Sequence, residues 1–290
     1  MSKSLKEKYL KIIKDNFPDI QFSSTKLITK WWSNDVIILD NNIIFRFPKE
    51  EFTKNNFLKE IEILNILLKE IKNIEIPNYK YISKNKDFWW YNIIQWIEFK
   101  KSYLKNNQNQ EKIAKQIWQF LTWLHSIDIN KFNWLLEFDL NKHYSFDSWY
   151  VNYIINQYKE IEHKFSTETF AKIIKFIQES INYEIKNPCL THYDFQWKNI
   201  IISEDKNKIN WIIDFSDMAI YDRAIDFVWL LGLSNSFLNK VFDNYKINDW
   251  DILIRANYYK NKQLIFTFPE VYKKFWDSKQ IEKIDKLFRN

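Results

Sequence analysis

Glycine is almost missing from this chain: one residue, Gly232, in 290, where ordinary usage of about 7% predicts roughly twenty. A backbone needs glycine wherever φ turns positive or a ligand must approach the main chain closely, so the shortage bears on any loop that would hold a ligand. Cysteine is equally scarce. Cys189 alone cannot close an internal disulfide, and nothing calls for an oxidising compartment. No apolar run approaches the ~18 residues of a membrane span. The first segment, Met1–Phe17, sets Leu5, Tyr9, Ile12 and Ile13 among charges, which suits an amphipathic helix better than a signal peptide. A dense Lys/Arg run is also lacking, so the net charge of +6 from 43 basic and 37 acidic residues reads as solubilising charge and not as a nucleic-acid footprint. There is no G-x-S-x-G elbow to support Ser-His-Asp hydrolysis. His143, His163 and Cys189 have no partner at the spacing of a zinc site. The expectation is a cytoplasmic monomer with no nucleic-acid or membrane partner.

What is present reads as a β-rich first part and a helical remainder. Asp35–Leu39 and Ile43–Phe47 are strand-like runs around the turn Asp40-Asn41-Asn42. Phe57, Ile61, Leu64, Leu67, Leu68 and Ile71 then recur at helical spacing. Two more strands are expected at Tyr79–Ser83 and Phe88–Gln95. Helical periodicity dominates Lys112–Ser126, Phe146–Lys186, Asp222–Tyr245 and Ile252–Phe288, with one β-like island at Ile200–Ser203 and Ile209–Phe215. This pattern predicts an α+β architecture.

Phosphoryl transfer to an alcohol needs a carboxylate near the attacking hydroxyl and oxygen ligands that hold Mg²⁺ on the phosphates. Asp194 follows the apolar segment Pro188–Leu190, Asn199 comes five residues later, and Asp214 ends a hydrophobic strand. An antiparallel hairpin over Ile200–Phe215 would bring Asn199 and Asp214 to one end, as two ligands of one metal require. The spacing H-x-D-x-x-x-x-N, from His192 to Asn199, followed by Ile212-Ile213-Asp214-Phe215, resembles the aminoglycoside phosphotransferase and choline-kinase superfamily, relatives of the protein kinases. The wording of Cys189–Phe195 and Ile212–Asp217 is most similar to the 2''-aminoglycoside phosphotransferase branch. The resemblance implies a protein-kinase-like two-lobed fold, with residues 1–96 as the nucleotide-binding lobe and 97–290 as the catalytic and substrate-binding lobe.

It further implies that Asp194 is the catalytic base or hydroxyl-orienting group, that Asn199 and Asp214 bind Mg²⁺, and that His192 supports the loop. Ile43–Lys49 resembles the strand carrying the nucleotide-phosphate cation, here Arg46 where the family frequently has lysine, and Glu60 resembles its helical ion-pair partner. Ser33 and Asn34, in the loop before the first hairpin strand, would approach the phosphates, and Tyr91–Gln95 would form the hinge that meets the base. His125, Asp222 and Asp226 match positions expected to be scaffold, with Asp222 placed to cap a helix. Asp217 fits either a place near metal or substrate or an ordinary surface turn, and Asp249 and Asp251 are acids that a cationic substrate would meet. The implied reaction moves the γ-phosphoryl group of ATP or GTP to a small hydroxylated substrate, with an aminoglycoside leading and a macrolide, a sugar or choline as alternatives.

Fourteen tryptophans stand against the single glycine. Trp31 and Trp32 occupy the phosphate loop, and Trp96, Trp197 and Trp211 fall where the family has glycine or would tolerate it. Read as glycine, the fourteen would restore a content of about 5%. One explanation covers both anomalies: UGA codons that specify glycine in the source, read as tryptophan. Genuine indoles would instead crowd the phosphate loop and turn the chain into an inactive pseudokinase or ligand-binding module.

Overall fold

The computed structural model describes residues 2–29, 34–71, 74–79, 81–84, 88–92, 97, 99–132, 148–180, 183, 185, 187–275 and 278–288. They fall into two compact units, Met1–Gln116 with Gln196–Met218, and Ile117–Phe195 with Ala219–Asn290.

Period-two alternation organises the first unit. Strands β1 (Thr25–Ile28), β2 (Asn34–Leu39), β3 (Ile43–Pro48), β4 (Tyr81–Ile82) and β5 (Trp89–Asn92) form a sheet in the order β1-β2-β3-β5-β4, every pairing antiparallel. The expected β2–β3 turn is present. Asp40 and Asn41 take φ of 48° and 51°, the doubly left-handed geometry that matches strand twist. Phe45 and Phe47 of β3 join Ile37, Leu39, Phe88 and Ile13 of helix α1 (Ser2–Asn16) in one core. Alternation therefore turns Ile44 and Arg46 to the other face. Helix α2 (Glu51–Leu67) packs against β3 and buries Phe57, Ile61, Leu64 and Leu67, with Glu60 among them. Hairpin strands β7 (Ile200–Ile202) and β8 (Ile209–Ile212) belong to this unit. Glu75 runs alongside β8: its N–H donates to the Asn210 carbonyl and its own carbonyl accepts from the Ile212 N–H, each at 3.0 Å.

In the second unit, helices α4 (Ser148–Lys159), α5 (Thr167–Glu179), α7 (Ile252–Phe275) and α8 (Ser278–Phe288) enclose Tyr158, Ile173, Ile177, Ile265 and Phe268. Helix α3 (Asn107–His125) precedes them and α6 (Asn235–Phe242) lies before α7. The periodic stretch Phe146–Lys186 yields two helices because Ser166 starts a new one, its side chain accepting from the Thr169 N–H at 3.1 Å. Strands β6 (Pro188–Thr191) and β9 (Ala219–Asp222) pair antiparallel.

Asp222 is scaffold, as expected. It caps the short turn Arg223–Phe227 by accepting from the Ala224 N–H at 3.0 Å, and its other oxygen accepts from Arg255 Nε at 2.7 Å and from the Tyr259 hydroxyl at 3.1 Å. Arg255 also donates to Asp249 at 2.7 Å and pairs with Asp251. The two acids considered for a cationic substrate are thus engaged by a buried guanidinium.

None of the described tryptophans stands at positive φ; the left-handed residues are Asp40, Asn41, Asn187, Tyr193, Lys206 and Asp214. At Trp197 and Trp211 the backbone is one that any residue adopts, and the Trp197 indole stacks on Phe99 at 5.4 Å with Lys101 Nζ 5.2 Å from its ring. Trp149 and Trp250, by contrast, are 65% and 84% exposed, so their indoles bury little. Trp31, Trp32 and Trp96 lie outside the described residues. The recoding explanation predicts UGA codons at Trp31, Trp32, Trp96 and Trp211 and a correspondingly lighter protein by intact mass from its source. UGG at these four positions sinks it.

Candidate active site

In the first unit, the β7–β8 hairpin pairs Ile200 with Ile212, and the Ile213 N–H donates to the Asn199 carbonyl at 3.0 Å. Asn199 and Asp214 therefore flank the same end of the hairpin, as antiparallel pairing requires. Asn199 is buried. Asp214 holds φ at 67°, a conformation that aspartate tolerates better than most residues, and accepts from the Ser216 hydroxyl at 3.2 Å. Both side chains offer the hard oxygen donors that Mg²⁺ takes. Among the described residues there is no group of three His, Cys, Asp or Glu that could hold a metal ion.

Glu60 reaches this hairpin from α2. Its Oε1 accepts from the Phe215 N–H at 3.1 Å and from the Tyr79 hydroxyl at 3.0 Å. Burial pushes its carboxyl up to about 7, the Arg46 charge pulls it back, and Asp214 adds to the rise. Next to it, burial lowers the Lys59 ammonium while Asp217 and Glu60 oppose that shift. Asp217, left open in the sequence, lies within electrostatic reach of α2. Asn34 is buried at the start of β2; Ser33 lies outside the described residues, as do Ile93–Gln95 of the expected hinge.

Glu60 carries a pH signature. It binds its proton more tightly folded than unfolded, so it adds stability below its ordinary value of 4.5 and loses that contribution as the pH rises through about 7. The difference in unfolding free energy between the parent and a Glu60→Gln variant is expected to change by about 3 kcal/mol across that window. Denaturant titrations at pH 4 and pH 8 measure it.

In the second unit, β6 ends at Thr191, whose hydroxyl donates to the Ala219 carbonyl at 2.9 Å. The chain then turns through His192, Tyr193 and Asp194, with the Asp194 N–H donating to the His192 carbonyl at 2.9 Å. Tyr193 holds φ at 68°, an uncommon place for a bulky side chain. Asp226, completely buried, fixes this bend. One oxygen accepts from the His192 N–H at 2.9 Å, the other from the Tyr193 N–H at 2.8 Å. His125 Nε2 lies 2.9 Å from Asp226, and His125 Nδ1 lies 2.6 Å from the Tyr245 hydroxyl. A neutral imidazole with its proton on Nε2 satisfies both contacts. The His192 ring is buried, edge-on to Phe195 at 5.7 Å, which agrees with a supporting place. Asp226 and His125 are scaffold as the sequence suggests, but scaffold with a specific target, the backbone in front of Asp194.

Solved structures share this architecture. The GDP and kanamycin complex of APH(2")-IIia superposes with a TM-score of 0.72 at 22% identity, covering 97% of this chain and 96% of the other. The streptomycin-ATP-APH(2")-IIa ternary complex gives 0.71 at 19% identity over 95% of each chain. Macrolide 2'-phosphotransferase type I gives 0.63 at 13% identity, over 98% and 97%. These likenesses establish an α+β protein-kinase-like fold, with a small β-rich N-terminal part and a mainly helical C-terminal part. A family model described as the phosphotransferase enzyme family matches residues 24–253. The chain belongs to that family and is a phosphotransferase with an alcohol group as acceptor.

Proposed function

We propose that the chain transfers the γ-phosphoryl group of ATP or GTP to a hydroxyl of a small molecule, an aminoglycoside first among the candidates. The observation that carries the reading is the pair of fixed acids. Asp194 sits on a loop whose two preceding N–H groups are held by Asp226, and Asp214 sits beside Asn199 at the end of a hairpin joined to Glu60. In this reading Asp194 orients the acceptor hydroxyl and takes its proton, while Arg46, paired with Glu60, steadies the phosphates together with Ser33 and Asn34. Asn199 and Asp214 would hold Mg²⁺, which when bound neutralises charge on the phosphates.

The substrate reading draws on structures of the same fold that contain kanamycin, gentamicin or streptomycin, and the donor reading on those that contain GDP or ATP. We place the nucleotide lobe at residues 1–96 and the catalytic lobe at 97–290, working as a cytoplasmic monomer. The test is a phosphate-transfer screen with Mg²⁺ and either ATP or GTP over aminoglycosides, macrolides, sugars and choline. Transfer to an aminoglycoside hydroxyl is the expected result. Transfer only to a macrolide, a sugar or choline replaces the substrate, and nucleotide binding without turnover on any acceptor favours a pseudokinase.

A further inference from the structure

The segment between α2 and β4 carries none of the candidate site residues, yet it closes a circuit within the first unit. At one end, Glu75 is bonded to β8 on both sides, through Asn210 and Ile212. Its neighbours Ile74, Ile76 and Pro77 are buried. At the other end, Tyr79 meets α2 twice. Its ring stands edge-on to Phe57 at 5.3 Å and 71°, and its hydroxyl donates to Glu60 Oε1 at 3.0 Å. Phe57 and Glu60 are three residues apart on one helix, so they present to the same side. From Glu60 the circuit returns to the hairpin through the Phe215 N–H at 3.1 Å.

Both hydrogen bonds fall on the same carboxylate oxygen. That holds Oε1 between the hairpin and the brace, beside Arg46, whose charge is the strongest of those pulling the Glu60 carboxyl back down. A buried carboxylate held by one bond can still swing about it. Two donors on one oxygen, one from the hairpin and one from the brace, restrict that motion.

We propose that Tyr79 is a positioning residue of the phosphate site: through its hydroxyl it orients Glu60 for Arg46, and residues 74–79 form a brace that sets α2 against the hairpin bearing Asn199 and Asp214. This rests on the nucleotide reading of Arg46 and Glu60 given above.

The test uses the full-length protein with Mg²⁺–ATP and Mg²⁺–GTP as probes. Tyr79→Phe keeps the ring against Phe57 and removes only the hydroxyl. Its Kd for the nucleotide that the parent binds is expected to rise roughly tenfold, the weight of one hydrogen bond to a charged group, and the Phe215 amide resonance is expected to move in the free protein. Since Tyr79 acts through Glu60, the double variant with Glu60→Gln is expected to bind within about twofold of Glu60→Gln alone. A tyrosine that served only packing would show full additivity, and that outcome overturns the proposal. So does a Tyr79→Phe variant that binds nucleotide within about twofold of the parent. A parent that binds neither nucleotide removes the phosphotransferase site and this proposal together, which separates that failure from the other two.

Discussion

Asp194→Asn is expected to lower the rate of phosphoryl transfer ~10²–10⁴-fold while leaving the Kd for Mg²⁺–nucleotide within about twofold of the parent. Asparagine keeps the size and one carbonyl oxygen of the side chain but cannot take a proton from the acceptor, and it orients the hydroxyl with a weaker dipole. Its backbone is expected to hold, because the bend in front of it is anchored through the His192 and Tyr193 N–H groups. The split between rate and binding is the informative readout. Single-turnover transfer and equilibrium titration measure the two separately, and full transfer by this variant rejects the assignment of Asp194.

Asp226→Ala is expected to act on both stability and rate. It strips two backbone donors and the His125 imidazole of their common acceptor in a place with no access to water. Unpaired buried donors cost about 1–3 kcal/mol each, so a loss of roughly 3–5 kcal/mol is expected, comparable to removing one partner of a buried ion pair. What remains folded is expected to transfer phosphate at least tenfold more slowly, because Tyr193 has no reason to stay left-handed once its N–H is released. Urea unfolding followed by second-derivative fluorescence gives the first quantity, and rate per folded molecule the second. Asp226→Asn, which keeps one acceptor oxygen, is expected to fall between parent and alanine. A fully active Asp226→Ala variant contradicts the anchoring of the loop.

The part of this arrangement that could be read from the sequence is the part set by local repetition. The turn at Asp40 and Asn41, the apolar stripe of α2, and the meeting of Asn199 with Asp214 at one hairpin end all follow from periods of two or 3.6 and a short connection. The grip of Asp226 on His192 spans 34 positions and is made by main-chain N–H groups, which every residue but proline possesses, so no residue type marks it in advance. Tyr79 was hidden for a different reason: it reads as one more aromatic residue near a strand, and only the fold puts its hydroxyl on Glu60. Four-residue strands such as β1 and β9 are too short for alternation to stand out from neighbouring apolar residues. Asp249 and Asp251 misled because an acidic pair beside a helix start looks solvent-facing until Arg255 is placed between them and Asp222.

Tyr193 directly precedes the first acid, and Asp214 is the second. Two of the six left-handed positions among the described residues therefore fall at or beside the acids proposed to act. The backbone leading into each is anchored within its own unit, by Asp226 at His192 and Tyr193 and by the Ile213–Asn199 bond before Asp214. Most loops fray before their domain melts. These two are pinned by bonds to their own units, so their order is expected to be lost together with the cooperative unfolding of the unit that carries each, in one step on heating.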